Sequence, residues 1–146
     1  MSIHVDIVSQ DRIVYQGEAD LVTLPGVEGE MGVMRGHAPL LTALSYGVIT
    51  LKGNDDRVFT VAGGIAEIQP EVITILADAA EDINEINIER AEAAKRRAEE
   101  LLKQLPERDT DDYLAIEAAL RRSNLRLEAV RRYKREKTFK FGSGEE

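Results

Sequence analysis

Residues 71–105 read EVITILADAAEDINEINIERAEAAKRRAEELLKQL, and the period of the apolar residues changes inside this stretch. Its first seven residues, EVITILA, form a short run rich in β-branched side chains, bounded upstream by Gln69-Pro70, which is the signature of a strand entered through a turn. From Ile88 the apolar positions fall at Ala91, Ala94, Ala98, Leu101 and Leu105, a spacing of three and four that lines one face of a helix. Asn87 is placed to cap that helix, because its side-chain oxygen accepts from the free amides of a first turn. The boundary between the two regimes lies between Asp78 and Glu85.

Upstream of the boundary the chain is written in strands. IHVDIV (residues 3–8) alternates Ile3, Val5 and Ile7 with polar partners, and RIVY, DLVTL, GVITL, RVFTVA and GIAEI continue the short β-rich segments. Gly53-Asn54-Asp55-Asp56 and Gln69-Pro70-Glu71 supply reversals between them. Many short strands at close spacing, with no helical period between them, predict an antiparallel sandwich or barrel over residues 1–82.

Downstream, Pro106 breaks the first helix at LPERDTDD. Asp109 or Thr110 is then placed to cap a second helix, which carries Tyr113, Ile116, Leu120, Leu127 and Val130 on one stripe. Residues 83–137 therefore predict an antiparallel two-helix hairpin. Its first stripe is mostly alanine, which permits close approach but buries little area at ~25 cal/mol per Å², so the hairpin is expected to be detachable. The glycine- and serine-containing end, residues 138–146, lacks a period and is expected to be disordered.

Charge divides the chain at the same place. Residues 1–80 hold 4 Lys or Arg against 11 Asp or Glu, whereas residues 81–146 hold 15 against 16, and the formal net charge is −8. An acidic chain is a poor general binder of nucleic acid, whose phosphates attract basic surfaces. The absence of cysteine removes disulfides, thiolate metal sites and a cysteine nucleophile. No apolar run approaches the roughly 18 residues of a membrane span, and the start MSIHVDIV carries no secretory signature; a cytoplasmic protein is expected.

The stretch LPGVEGEMGVMRGHAPLL (residues 24–41) holds four glycines and His37 in an apolar frame. It lacks the lysine and hydroxyl that a P-loop places on phosphate and magnesium. His37 has only His4 as an imidazole partner, distant in sequence, so no metal site is expected. The serines lie in no nucleophile-elbow context, and no catalytic residue is assigned. Glycines 26, 29, 32 and 36 are expected to serve tight backbone geometry, with Pro39, Leu40, Leu41 and Leu44 anchoring the region.

Three segments, LPGVEGEMGVMRGHAPLLTALSYGVI, FTVAGGIAEIQPEVITILADAAE and INIERAEAAKRRAEELL, together resemble the epsilon subunit of the F-type ATP synthase. The resemblance runs from Val5 to about Val130. It implies a ten-stranded β sandwich seated on the gamma subunit of the central stalk near the membrane c-ring. It also implies a C-terminal hairpin that folds back or extends into the catalytic head and blocks ATP hydrolysis. Such a subunit couples ring rotation to ATP synthesis, is not itself an enzyme, and sits peripherally on the cytoplasmic face of a bacterial plasma membrane. Residues 24–41 would then be a sandwich edge and docking surface, with His37 as a contact.

The second helix suits such a role. Arg121, Arg122, Arg126, Arg131, Arg132, Lys134, Arg135 and Lys137 fall within 17 residues, opposed only by Glu128 and Glu136. They predict a basic rod roughly 25 Å long at 1.5 Å per residue; the resemblance implies that it meets an acidic loop on the catalytic beta subunits, to which a positive strip is attracted, and a solvated helix face is the plainer reading. From the resemblance alone comes a regulatory ATP site built around an I-D-x-x-R-A motif. Here the motif reads Ile86-Asn87-Ile88-Glu89-Arg90-Ala91, with Asn87 replacing the aspartate, and Glu81, Arg122 and Arg126 fall where the family places further contacts. Two alternatives compete with this reading. A stand-alone sandwich binding module predicts a ligand-filled cavity; a basic hairpin adaptor predicts binding to acidic or anionic surfaces without the β part.

Overall fold

The computed structural model describes residues 1–105 and 110–134, and the chain divides into two compact units after Asp82. The expected disordered end at residues 138–146, and the basic residues 135 and 137, lie outside the described residues.

The first unit comprises β1 (Ile3–Val8), β2 (Ile13–Ala19), β3 (Leu21–Gly26), β4 (Gly29–Val33), β5 (Leu40–Lys52), β6 (Arg57–Ile68), β7 (Val72–Ala77) and β8 (Ala80–Asp82). Their order is β2-β1-β7-β6-β5-β3-β4, with β8 pairing the first half of β6 along the edge that β7 takes farther on. The sandwich therefore uses eight described strands where ten were expected, because β5 and β6 each serve both layers. Residues 64–68 of β6 pair with β7, whereas residues 59–61 pair with β8. The changeover sits at Gly63 and Gly64, whose φ angles of 89° and 137° are open to glycine and strained for other residues. β5 follows β6 through the same changeover without losing register, pairing Leu44 with Gly64 and Tyr46 with Ala62.

A second departure is the pairing of β1 with β7, which is parallel while every other described pair is antiparallel. A parallel pair needs a long crossover, and here the crossover is β2 to β6. Alternation along β1 sends Ile3, Val5 and Ile7 inward to meet Val22, Leu24, Ile49, Leu51, Phe59, Val61, Ile73 and Ile75, all essentially inaccessible to solvent. Tyr15 packs its ring against Phe59 at 5.3 Å. This core lies wholly within residues 3–80.

The expected reversals are present: the Gly53 amide donates to Asp56 Oδ1 at 3.1 Å, and the Gln69 amide to the Val72 carbonyl at 2.9 Å. Of the four glycines in residues 24–41, Gly29 and Gly36 have positive φ and Gly26 and Gly32 do not. Leu44 is buried, but Leu40 and Leu41 are exposed and do not anchor the region. Leu41 alternates onto the face turned away from the core, and Leu40 is the first residue of β5.

The second unit holds a 3-10 turn (Ile83–Glu85), α1 (Ile88–Gln104), α2 (Asp111–Ala129) and a π-helical turn (Val130–Lys134). Asn87 caps α1 by accepting from the Arg90 amide at 3.0 Å, and Thr110 caps α2 by accepting from the Tyr113 amide at 3.2 Å. Asp111 and Asp112 add negative charge to the first turn of α2, where the helix dipole favours it. α1 ends at Leu105, whose backbone is extended, as the following Pro106 requires.

The two helices pack on each other through small residues. Ala91 and Ala98 of α1 are buried, as are Ser123 and Ala129 of α2, and the Ser123 hydroxyl donates to the Ala119 carbonyl at 3.1 Å. Ala94 and Leu101, expected on the buried stripe, are exposed. The contact line runs instead through Ala91, Lys95, Ala98, Leu102 and Leu105, which are buried or partly buried. Its steps of four, three, four and three are the seam of a close-packed helix pair.

Candidate functional site

On the layer formed by β2, β1, β7 and the adjoining halves of β6 and β5, the residues that alternate away from the core make one outward face. Register places Ala43, Ile65 and Leu76 side by side across β5, β6 and β7, with Leu41 two residues along β5 from Ala43. Leu41, Ile65 and Leu76 are 66%, 47% and 55% exposed. Val27, whose amide bonds to the Ala43 carbonyl at 3.0 Å, and Met34 extend the exposed apolar residues along the β3–β4 side. A row of large aliphatic side chains across three strands is far from the scattered exposure of an ordinary surface, and contiguous apolar patches mark interaction sites.

The other end of that face is polar. His4 and Asp6 on β1 stand beside Glu18 on β2, with His4 Nε2 2.9 Å from Asp6 Oδ1 and Nδ1 3.3 Å from Glu18 Oε1. Burial pulls the His4 pKa down, but hydrogen bonds and charges from Asp6 and then Glu18 outweigh it, and the net position lies above the ordinary 6.5.

His37 occupies a turn. Its amide donates to the Met34 carbonyl at 3.1 Å, its Nδ1 lies 2.6 Å from the Ala38 carbonyl, and the neighbouring Gly36 amide reaches Pro70 at 2.7 Å. Arg35 and Glu71 pair across the same gap at 3.5 Å. The loop after β4 is thereby tied to the β6–β7 turn. No group of three or more His, Asp or Glu side chains among the described residues is arranged to hold a metal ion.

The residues assigned to nucleotide divide in role. Ile86 and Ala91 are buried in the helical unit, and the side-chain oxygen of Asn87 is engaged by the cap. Arg90 is exposed on the first turn of α1; Arg122 and Arg126 are half-buried, one turn apart on α2. The turns at Ile83–Glu85 and Val130–Lys134 meet, so the start of α1 and the end of α2 share one end of the hairpin. Glu81 belongs to the other unit, on β8 opposite Thr60.

The basic residues of α2 are not a single strip. Arg122 and Arg126 lie on a half-buried side, Arg121, Arg131 and Arg132 are exposed, and the Arg132 guanidinium sits 5.3 Å from the Tyr133 ring centre. At 3.6 residues per turn, positions 121, 122 and 131 point in three directions. A cleft of about 470 Å³ between the helices is lined by Ile88, Glu92, Lys95, Arg96, Glu99, Leu127, Val130 and Arg131, and of the residues assigned to nucleotide or partner binding it includes only Arg131.

Sequence reasoning passed over Ile65 and Leu76. Their signal was visible: GIAEI and VITILA carry apolar residues on both faces of a strand, the pattern of a sheet covered on both sides. In the described structure the core covers only one of those faces.

Comparison with known proteins bears on both units. Residues 2–83 match the family model of the ATP synthase delta/epsilon chain β-sandwich domain, and residues 84–131 that of the delta/epsilon chain long α-helix domain. The ATP synthase epsilon chain of Halalkalibacterium halodurans is 40% identical over 132 residues, covering 90% of this chain and 98% of the relative. That of Alkalilimnicola ehrlichii is 38% identical over 136 residues, covering 92% and 96%. The fold is similar to a chain in the Euglena gracilis mitochondrial ATP synthase, with a TM-score of 0.61, 24% identity, and coverage of 87% of this chain and 76% of that one. With sandwich and hairpin both matched in order over nearly the whole length, this chain belongs to the ATP synthase delta/epsilon chain family.

Proposed function

We propose that this chain is a non-catalytic epsilon-type subunit of a rotary ATP synthase, which docks on the central stalk through its sandwich and restrains ATP hydrolysis through its hairpin. The observation that carries the docking half is the exposed row of Leu41, Ile65 and Leu76. It is broad and apolar, and it is braced from behind by the core. A gamma subunit is the partner this reading assigns to that face, with the c-ring near the β3–β4 edge and the catalytic beta subunits within reach of the hairpin. No helix among the described residues is long and apolar enough to cross a membrane, so association with the cytoplasmic face of a bacterial membrane would run through those partners.

The test is the affinity of the full chain for a gamma-containing catalytic head that lacks its own epsilon subunit. Ile65 and Leu76 are each about half exposed. Burying the remaining half of such a side chain contributes roughly 1 kcal/mol. Ile65→Asp with Leu76→Asp should therefore weaken binding by at least about 30-fold, with circular dichroism unchanged. Equal affinity would remove this face from the interface.

Regulatory ATP is a further part of the reading. Arg90 on the first turn of α1 and Arg126 on the last turn of α2 lie toward the end of the hairpin where the two helical termini meet, with Arg122 one turn farther back along α2, and guanidinium groups pair bidentately with phosphate oxygens. Binding there would favour the folded hairpin and so release the restraint on hydrolysis.

A further inference from the structure

The hydrogen-bond geometry at His4 has a chemical consequence that is independent of docking. Asp6 and Glu18, as carboxylates, can only accept hydrogen bonds, and a neutral imidazole has a single N–H to give. Both ring nitrogens of His4 face carboxylate oxygens, at 2.9 Å and 3.3 Å, so only the doubly protonated ring satisfies both contacts. The shorter contact stays within β1, whereas the longer one crosses to β2, the edge strand of its layer.

Glu18 also accepts from the Ser2 hydroxyl at 2.9 Å, so the cluster gathers the start of the chain onto β2. On the other side of β1, Val72 of β7 stands opposite His4, and the His4 amide donates to the Glu71 carbonyl at 3.0 Å. The Glu71 side chain is directed to Arg35. At the far end of the β1–β2 ladder the register slips between Ile7 and Val8, and Ile13 is exposed. The end that carries His4 is the regular one.

We propose that His4 is a pH-responsive clamp, holding edge strand β2 onto β1 when doubly protonated and releasing the cross-strand contact to Glu18 when it loses a proton. The contact to Asp6 is the one retained on deprotonation, being shorter and local, so the loss falls on the tie between strands. Because the folded ring holds its proton more tightly than an unfolded one, the stabilisation is fully present below about pH 6.5 and is lost as pH rises through the folded-state titration. An unpinned edge strand exposes backbone groups that pair with other chains.

The experiment is amide hydrogen exchange on the full chain, corrected for intrinsic rate, with parallel NMR titration of the His4 ring. His4 is 41% exposed, and for an exposed pair the expected loss of β2 protection across the titration is about twofold to fivefold, with β7 amides unchanged. His4→Gln should abolish the pH step. Glu18→Gln, which removes the cross-strand charge but keeps an acceptor for the Ser2 hydroxyl, should flatten it while leaving β1 intact. A His4 ring that titrates no higher than in the unfolded chain overturns the proposal. So does a β2 response to pH that persists in both variants.

Discussion

The bend in β6 is the feature on which the two-layered sandwich turns, and Gly64→Ala tests it. With φ at 137°, Gly64 occupies a region that costs an L-residue about 1–3 kcal/mol. A Cβ there would lie 2.4 Å from the Leu76 carbonyl oxygen and 2.8 Å from the Ala77 Cα. Both atoms are backbone of β7, so relief needs a shift of the strand and not a rotamer change, adding roughly 1–3 kcal/mol. The total, about 2–6 kcal/mol, compares with about 4–12 kcal/mol expected for a domain of this size. At about 4–8 °C per kcal/mol the sandwich should melt at least about 8 °C lower. Thermal unfolding of the full chain, followed by near-ultraviolet dichroism of Tyr15 against Phe59, reads this directly. Gly36→Ala is the control: its φ is 91°, but a Cβ would meet nothing within 4 Å, leaving strain alone. If Gly64→Ala melts no lower than Gly36→Ala, the steric account of the bend is wrong.

Two further predictions concern the hairpin. Thr110→Ala removes the cap of α2 and should cost about 1 kcal/mol, seen as an earlier loss of helical dichroism at 222 nm with the sandwich transition unmoved. Arg126→Ala should weaken ATP binding to the isolated chain by about tenfold or more, as expected for loss of one charge-assisted contact of about 1.5 kcal/mol or more; equal affinity by calorimetry would remove Arg126 from the nucleotide site.

The change of period at Ile88 made the strand-to-helix transition legible, because a sheet and a helix sort apolar residues in incompatible rhythms. Caps were legible for a similar reason: Asn87 and Thr110 are short polar side chains in front of periodic runs. The parallel pairing of β1 with β7 was not, since strands more than sixty residues apart carry no local mark of which neighbour they choose. Nor was the continuity of β6. RVFTVA and GIAEI look like two strands separated by glycines, yet Gly63 and Gly64 bend one strand without ending it. Ala94 misled because alanine fits either side of a helix; Lys95, half-covered beside the seam, shows where the contact line runs. The exposed apolar face was hidden in plain residues. Ile65 and Leu76 are ordinary strand residues until the fold places them on the side away from the core.

Hydrolysis by a head depleted of its own epsilon subunit measures both proposed tasks, docking by the sandwich and restraint by the hairpin. The head would be titrated with the full chain and with a chain ending at Asp82, whose core is complete within residues 3–80. The expected result is that both forms bind with comparable affinity and that only the full chain slows ATP hydrolysis. Equal inhibition by the truncated chain, or failure of the sandwich alone to bind, would contradict it.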